Sequence, residues 1–256
     1  ILEGLGWIGI KWNAGPFKQT ERLDIYEKYL KKLLNEGKAF WCYHTKEELE
    51  KEKEEQIAKK ESQKHVCEHK FQITNSKLQT NSNIKIQNSE TNLKTGIIRL
   101  DTPRKIVKFN DLIRGEISFD TSLLGDISLA KDTRIPLYNF AVVIDDYEMK
   151  VSHVIRGEDH ISNTPKQILI QEALGFSVPH YAHLPLILGS DKSKLSKRHG
   201  ATSVNVYRTE GYLPEAMVNF LALLGWAPSD NREIFSMKEL IKEFSLERIQ
   251  KSGAIF

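Results

Sequence analysis

The stretch from residue 151 to residue 189 constrains the fold most. Residues 151–156 are an apolar run of strand length. Thr164-Pro165-Lys166-Gln167 then carries three agreeing helix-start signals: Thr at the N-cap, Pro at the first helical position and Gln at the third. Ile168, Leu169 and Leu174 supply an apolar face, and Gly175 is the stop. His183-Leu184-Pro185-Leu186-Ile187-Leu188-Gly189 reads as a second buried strand. Strand, helix and strand in this order predict parallel pairing across a helical crossover, an α/β half-domain.

That second strand empties into a cationic loop. Lys192, Lys194, Lys197 and Arg198 place four cations within seven positions, with Ser193, Ser196 and Gly200 among and after them. Small residues let a backbone bend close to a ligand. Lysines on such a loop are mobile point charges, suited to a phosphate that gains charge during reaction. On composition alone a solvated basic turn is the plainer reading.

Upstream, residues 19–36 form an amphipathic helix with Leu23, Tyr26, Leu30 and Leu33 on one face and Gly37 as its stop. Residues 39–43 read as a strand. Thr45 and Glu48 form a capping box that opens a helix over 45–64, mostly charged and therefore solvated. Residues 72–95 are rich in Asn, Ser, Thr, Gln and Lys, lack hydrophobic anchors and predict a mobile loop. Residues 97–100, 106–109 and 116–119 read as strands, and so does 138–145, around Phe140-Ala141-Val142-Val143-Ile144. Beyond Tyr207 the pattern is helical. One helix opens at Pro214, with Met217, Phe220, Leu221 and Leu224 inward, and a second covers 237–244.

The 256 residues exceed what one core comfortably holds, so two or three domains are expected. A net charge of +3 is compatible with a polyanionic partner without demanding one. Two cysteines exclude a disulfide scaffold and fit a reducing compartment. No apolar run has the length of a membrane span, and no signal peptide is evident. Both cysteines carry a His two positions on, in Cys42-Tyr43-His44 and Cys67-Glu68-His69. On a strand that spacing puts both side chains on one face. Two thiolates and two imidazoles suit a closed tetrahedral zinc site, if the helix between folds back as a hairpin; two unrelated reduced pairs are the alternative.

Lys194-Leu195-Ser196-Lys197-Arg198 resembles the Lys-Met-Ser-Lys-Ser signature of class I aminoacyl-tRNA synthetases. Val154-Ile155-Arg156-Gly157-Glu158-Asp159-His160-Ile161-Ser162-Asn163-Thr164-Pro165 and the run from Leu195 to Ser203 resemble a bacterial-type glutamyl-tRNA synthetase. The likeness covers most of the chain except roughly 70–95. It implies a class I Rossmann-like catalytic domain split by an inserted mixed α+β acceptor-binding domain and followed by an α-helical domain. Residues 1–37 would end the first Rossmann half, 38–135 form the insertion, 136–200 the second half with the signature loop, and 201–256 the α-helical stem-contact domain.

The resemblance also implies a reaction. L-glutamate would be activated with ATP and Mg²⁺ and then transferred to the 3′ end of its tRNA, whose acceptor end and stem are the expected partners. Lys197 and Lys194 would be catalytic, and Lys197, Ser196, Leu195 and Leu186 would bind ATP. Arg156 and Tyr138 would bind glutamate. Arg156 ends an apolar strand and can grip a carboxylate bidentately; pairing with Glu158 or Asp159 is the alternative, as a core position is for Tyr138. Asp145 and Asp146 would face the amino group or the tRNA end, or form a polar turn. His180 and His183 read as structural. Some family members carry a structural zinc near Cys42, His44, Cys67 and His69, commonly with a third Cys where this chain has His44.

The family's His-Ile-Gly-His signature, its upstream acidic motif and its anticodon-binding domain are absent. A central fragment that opens on Ile1 is therefore expected, inactive in adenylate formation by itself. Two alternatives stand beside this: a paralogue that glutamylates a modified tRNA base, against which the helices after Tyr207 speak, and a non-catalytic tRNA-binding module. A monomer without membrane contact, in a bacterial cytoplasm, is expected; the Asn/Lys-rich insertion would also fit a plastid or mitochondrial enzyme from an AT-rich genome.

Overall fold

The computed structural model describes residues 1–70, 72–74, 77–79, 96–196 and 203–256. In chain order the first elements are α1 (Leu2–Trp7), α2 (Leu23–Asn35), β1 (Ala39–Cys42), α3 (Lys46–Ala58), and the short strands β2 (Gln72–Thr74) and β3 (Lys77–Gln79). Then come β4 (Ile97–Leu100), β5 (Ile106–Asp111), β6 (Gly115–Asp120), β7 (Ser128–Asp132) and β8 (Ile135–Pro136). The remainder is α4 (Tyr138–Glu148), β9 (His153–Gly157), α5 (Thr164–Leu174), β10 (His180–Leu184), β11 (Ile187–Leu188), α6 (Val204–Thr209), α7 (Pro214–Leu223), α8 (Met237–Glu243) and β12 (Ala254–Ile255).

Two four-stranded sheets organise the molecule. One has the order β1-β4-β7-β8 and is antiparallel throughout. The other has the order β6-β5-β10-β9. There β10 runs parallel to both β9 and β5, and β6 is an antiparallel edge. The parallel β9-α5-β10 unit is thus the one expected from residues 151–189. Strands from within 38–135 are divided between the two sheets, so a boundary at 135/136 cuts across the ladder that joins β5 to β10.

One continuous core lies beneath both sheets. It includes Tyr26, Leu30 and Leu33 of α2, Ile98 and Leu100 of β4, Leu129 of β7, Phe140 and Ile144 of α4, and Leu169 of α5. A second cluster packs Trp226, Phe235, Leu240 and Ile249 against Ala182 of β10 and Ile113. It seats α7 and α8 below the parallel strands. The Thr45/Glu48 capping box forms as expected, and α3 buries none of its residues.

Four local expectations are corrected. Residues 138–148 are the helix α4 and not a strand. Phe140, Ala141, Val143 and Ile144 are its buried residues along with Asp145, a 3.6-residue stripe that a short apolar run conceals. The 183–189 run is not one strand either. Pro185 has no N–H to give to a ladder; β10 stops at Leu184, and β11 instead pairs in parallel with β12. In α7, Met217 is buried but Phe220 is exposed, with its ring edge-on to Phe256. Within 70–95, backbone ladders pair β2 with β3, so part of that stretch is a short hairpin and not a loop; most of the rest lies outside the described residues. Among the described residues no helix is long and apolar enough to cross a membrane.

Candidate active site and metal centre

The parallel strands set the register of the first site. His183 on β10 is paired with Arg156 on β9, and Tyr181 with Asp111, the last residue of β5. Three polar side chains therefore gather at the carboxyl ends of three adjacent strands, where open α/β sheets bind ligands. Arg156 Nε donates to His183 Nε2 at 3.2 Å, and Arg156 Nη2 donates to Thr164 Oγ1 at 2.9 Å. Its guanidinium carbon lies 5.4 Å from the centre of the Tyr181 ring, a cation–π contact. Thr164 is thus not the helix cap that its sequence position suggested. Asn163 holds the cap position, and the Thr164 hydroxyl turns to Arg156.

Neither acidic neighbour takes Arg156. Glu158 pairs with Arg114 at 2.7 Å and accepts the Leu186 N–H at 3.0 Å. Asp159 accepts from Lys194 Nζ at 2.6 Å, which holds the Asp159 carboxyl below its usual range. Arg156 Nη1 has no hydrogen-bond partner among the described residues.

Behind Arg156 the polar chain continues inward. His183 is fully buried, and its Nδ1 lies 2.6 Å from Asp111 Oδ2. Asp111 Oδ1 accepts the backbone N–H groups of Ile113 (3.0 Å), Arg114 (2.9 Å) and His183 (3.3 Å). Burial works to raise the Asp111 carboxyl pKa, but the Arg114 N–H and the His183 ring outweigh it and hold it below the ordinary value. Burial pushes the His183 imidazole below its ordinary value, against the pull of Asp111. A carboxylate beside a neutral imidazole results.

Tyr138 opens α4 and is half-exposed, with its hydroxyl 3.3 Å from His160 Nδ1, so it is not a core tyrosine. A cleft of about 510 Å³ runs from Tyr138 and Lys166 past Gly125 to Lys64 and His65. Asp145 faces elsewhere. It is buried and accepts from Gln19 Nε2 (2.9 Å), Arg22 Nε (2.8 Å) and the Tyr26 hydroxyl (2.8 Å), tying α4 to α2 and the turn before it. Asp146 lines a separate cavity of about 430 Å³. Burial pushes its carboxyl up to about 6, against the opposing charge of Arg156.

The signature segment folds back on β11. Leu188 and Lys194 form an antiparallel bridge, and the Leu195 N–H donates to the Ile187 carbonyl at 2.8 Å. Lys192 sits at a φ of 61° in the turn between. Lys197 and Arg198 lie outside the described residues, as do His199 and Gly200.

The second site is the cysteine cluster, where the structure gathers His65, and not His69, with the other three expected donors. The donor atoms of Cys42, His44, His65 and Cys67 lie within 4.8 Å of one another; His69 is not among them. Cys42 Sγ is 3.4 Å from His44 Nδ1 and 3.4 Å from His65 Nε2, and Cys67 Sγ is 3.7 Å from His44 Nδ1. These match the edges of a zinc tetrahedron, about 3.3–3.8 Å for ordinary Zn–N and Zn–S bonds. Glu52 Oε2 lies 2.6 Å from His65 Nδ1 and leaves Nε2 directed at the cluster, the usual carboxylate support of a ligating histidine.

The presence of His65 in the cluster has a local cause. The Asp126 N–H donates to the His65 carbonyl at 2.7 Å, and Asp126 Oδ2 accepts the Cys67 N–H at 2.9 Å. A Cβ on Gly125 would come within 2.2 Å of the His65 carbonyl oxygen, so only glycine permits this approach. The clamp presents His65 and Cys67 together. Past Cys67 the chain turns, the His69 carbonyl lies 3.1 Å from Cys67 Sγ, and the His69 ring stacks on His44 at 6.3 Å. His65-x-Cys67-x-His69 is symmetrical about its cysteine, so spacing alone could not choose the histidine. Among the four donors, Cys67 and His65 favour the Cys42 thiolate and lower its pKa, while Cys67 beside that thiolate is raised.

The comparisons with known proteins show the family. The family described as tRNA synthetases class I (E and Q), catalytic domain, matches residues 1–256. A glutamate–tRNA ligase of Carboxydothermus hydrogenoformans is 49% identical over 268 residues, covering all of this chain and 53% of that protein. Glutamate–tRNA ligase 1 of Caldanaerobacter subterraneus subsp. tengcongensis is 49% identical over 260 residues, covering 52% of its length. The crystal structure of a glutamate tRNA ligase from Elizabethkingia meningosepticum, in complex with its amino acid, superimposes with a TM-score of 0.81 at 37% identity, covering 99% of this chain and 56% of that one. The chain spans about half the length of the curated relatives it matches.

Proposed function

This chain belongs to the class I tRNA synthetases (E and Q), in their catalytic domain, and on that premise we propose that it supplies part of the active site of a glutamate–tRNA ligase. The observation that carries the substrate is Arg156. Its guanidinium is held at Nε and Nη2 at the open end of the parallel strands while Nη1 has no partner among the described residues. An arginine presented in that way is matched to a carboxylate. The Tyr138 hydroxyl, half-exposed on the neighbouring helix, is a second donor for the same ligand.

Activation joins the substrate α-carboxylate to the α-phosphorus of ATP. One carboxylate oxygen forms the new P–O bond while the bond to the bridging oxygen breaks and pyrophosphate leaves with that electron pair. The protein's part is alignment and cationic stabilisation of the departing charge. Lys197 is the cation for that charge, with Lys194 in support. Ser196, Leu195 and Leu186 would contact ATP. The Lys194–Asp159 pair is then a resting contact, exchanged for a phosphate as the loop closes. Mg²⁺ would neutralise the phosphates when bound. The cleft from Tyr138 to Lys64 is open to the acceptor end of tRNA, with Lys64 and Lys166 as its cations. Residues 38–135 would meet that end and residues 201–256 the stem.

Cys42, His44, His65 and Cys67 would hold a structural zinc. Four protein ligands leave no open position, so its role is to fasten α3 and the 65–67 segment to β1. The bacterial relatives support a cytoplasmic enzyme.

The test is amino-acid-dependent ATP–pyrophosphate exchange in the full natural polypeptide that contains these residues. Exchange should depend on L-glutamate. Arg156→Ala should raise the KM for glutamate by roughly 100-fold, with the KM for ATP changed less than about threefold. Exchange driven by L-glutamine in place of L-glutamate would overturn the assignment.

A further inference from the structure

Arg156 can serve a ligand only if its fork stays turned outward, and two buried groups behind it do that work. We propose that Asp111 and His183 form a tautomer-fixing relay whose function is to hold the Arg156 guanidinium in its ligand-binding orientation. They are positioning residues and do not touch the ligand. The inference rests on the reading of Arg156 as the carboxylate-binding residue.

Donor and acceptor roles fix the ring proton. Arg156 Nε–H can only donate, so its partner at 3.2 Å, His183 Nε2, must accept. A neutral imidazole accepts at one nitrogen only if its proton is on the other. That proton sits on Nδ1, facing Asp111 Oδ2 at 2.6 Å. Asp111 is itself fixed, because Oδ1 receives three backbone N–H groups. Asp111, His183 and Arg156 stand on adjacent strands, β5, β10 and β9, so sheet register holds the spacing. The Tyr181 face and the Thr164 hydroxyl then complete the seat of the guanidinium.

This makes Asp111→Asn an informative change. The Asn carbonyl oxygen can keep the three backbone N–H groups, so the turn after β5 survives. Its NH₂ then faces His183 Nδ1 and can only donate. The ring proton must move to Nε2, where Thr164 Oγ1 at 3.2 Å can accept it but the Arg156 Nε–H opposes it. Two donors 3.2 Å apart repel, and the guanidinium swings from its seat.

The experiment uses the full natural polypeptide, labelled with ¹⁵N in histidine and arginine, together with titration by L-glutamate. The wild type should show His183 protonated at Nδ1 and bare at Nε2, and a slowly exchanging Arg156 Nε–H. Asp111→Asn should move the ring proton to Nε2, lose that slow Arg156 signal, and bind L-glutamate roughly 10- to 100-fold more weakly at unchanged secondary structure. His183→Gln offers a side-chain carbonyl to Arg156 without any tautomer. It should bind within a few-fold of wild type, and adding Asp111→Asn to it should cost little more.

Glutamate bound equally well by wild type and Asp111→Asn would overturn the relay and leave the proposed function standing. Additive losses in the double variant would overturn it too, by reducing Asp111 to a stabilising residue. Failure of the wild type to bind L-glutamate would overturn the functional reading instead. The relay would then stand or fall on the wild-type spectrum, where a His183 ring protonated at Nε2 would overturn it.

Discussion

The Arg156 network and the Cys/His cluster are both partly buried polar constellations, yet they are built in opposite ways. The first is assembled by register. Its members sit on neighbouring strands, and once β9, β10 and β5 pair, Asp111, His183 and Arg156 have no choice but to meet. The second is assembled by a clamp. Cys42 and His44 come from a strand end, but His65 and Cys67 come from an irregular segment held by Gly125 and Asp126. The buried members of the register-built network, Asp111 and His183, are satisfied without any added group. A clamped one gathers two thiol groups and two imidazoles whose mutual attraction is modest, and it should lean on a metal for its strength.

The largest expected effect breaks that contrast directly. Removing zinc with a chelator should lower the melting temperature by about 10 °C, roughly 4 kcal/mol for a chain of this size. His65→Ala should abolish the metal and reproduce the loss, while His69→Ala should retain about one zinc per chain by elemental analysis. Zinc retained in His65→Ala and lost in His69→Ala would reinstate the ligand set expected from the sequence.

Next comes the register-built side. His183→Ala removes a fully buried ring and leaves Asp111 and Arg156 each short of a partner, at a cost of about 3 kcal/mol in denaturant unfolding. Metal content should not change, since the two sites share no residue. A loss of zinc in this variant would show that the two regions are coupled after all.

Gly125→Ala tests the clamp. The added methyl must displace the His65 backbone, at roughly 2–3 kcal/mol, and zinc affinity should fall about tenfold. Retention of full affinity would mean that the metal, and not the clamp, positions the segment.

The smallest effect sharpens the electrostatics beside Arg156. The Asp146 carboxyl is pushed up to about 6 in the folded chain from an ordinary 3.8. Folding therefore favours its protonated form, and its contribution to stability is full below about pH 4 and is lost as pH rises to about 6. Asp146→Asn should remove that slope and stabilise the protein above pH 6 by about 1 kcal/mol, a figure reduced for solvent screening of an incompletely buried group. A variant with an unchanged pH profile between 4 and 6 would assign the slope elsewhere.

Much of the fold was legible because its signals are local. The capping box at Thr45, the stop at Gly37 and the apolar face of α2 each follow from a few neighbouring residues. The strand–helix–strand order at 151–189 gave the parallel pairing, and Arg156 at a strand end marked the ligand side. The misreadings share a cause. Whether 138–148 is helix or strand depends on which faces are covered, and that is known only when α2 and α5 pack against it. Thr164 looked like a cap because caps are local; its hydroxyl was drawn instead to a charged group on another strand.

The sequence by itself determined the class of fold, the family and the residues able to bind a carboxylate or a metal, because propensity, periodicity and residue chemistry act over short spans of chain. Only the tertiary structure decided which of those residues meet. Asp111 lies 72 positions from His183, and Cys42 lies 23 from His65. Contacts over such distances are set by strand register and by the burial of polar groups that must each find a partner.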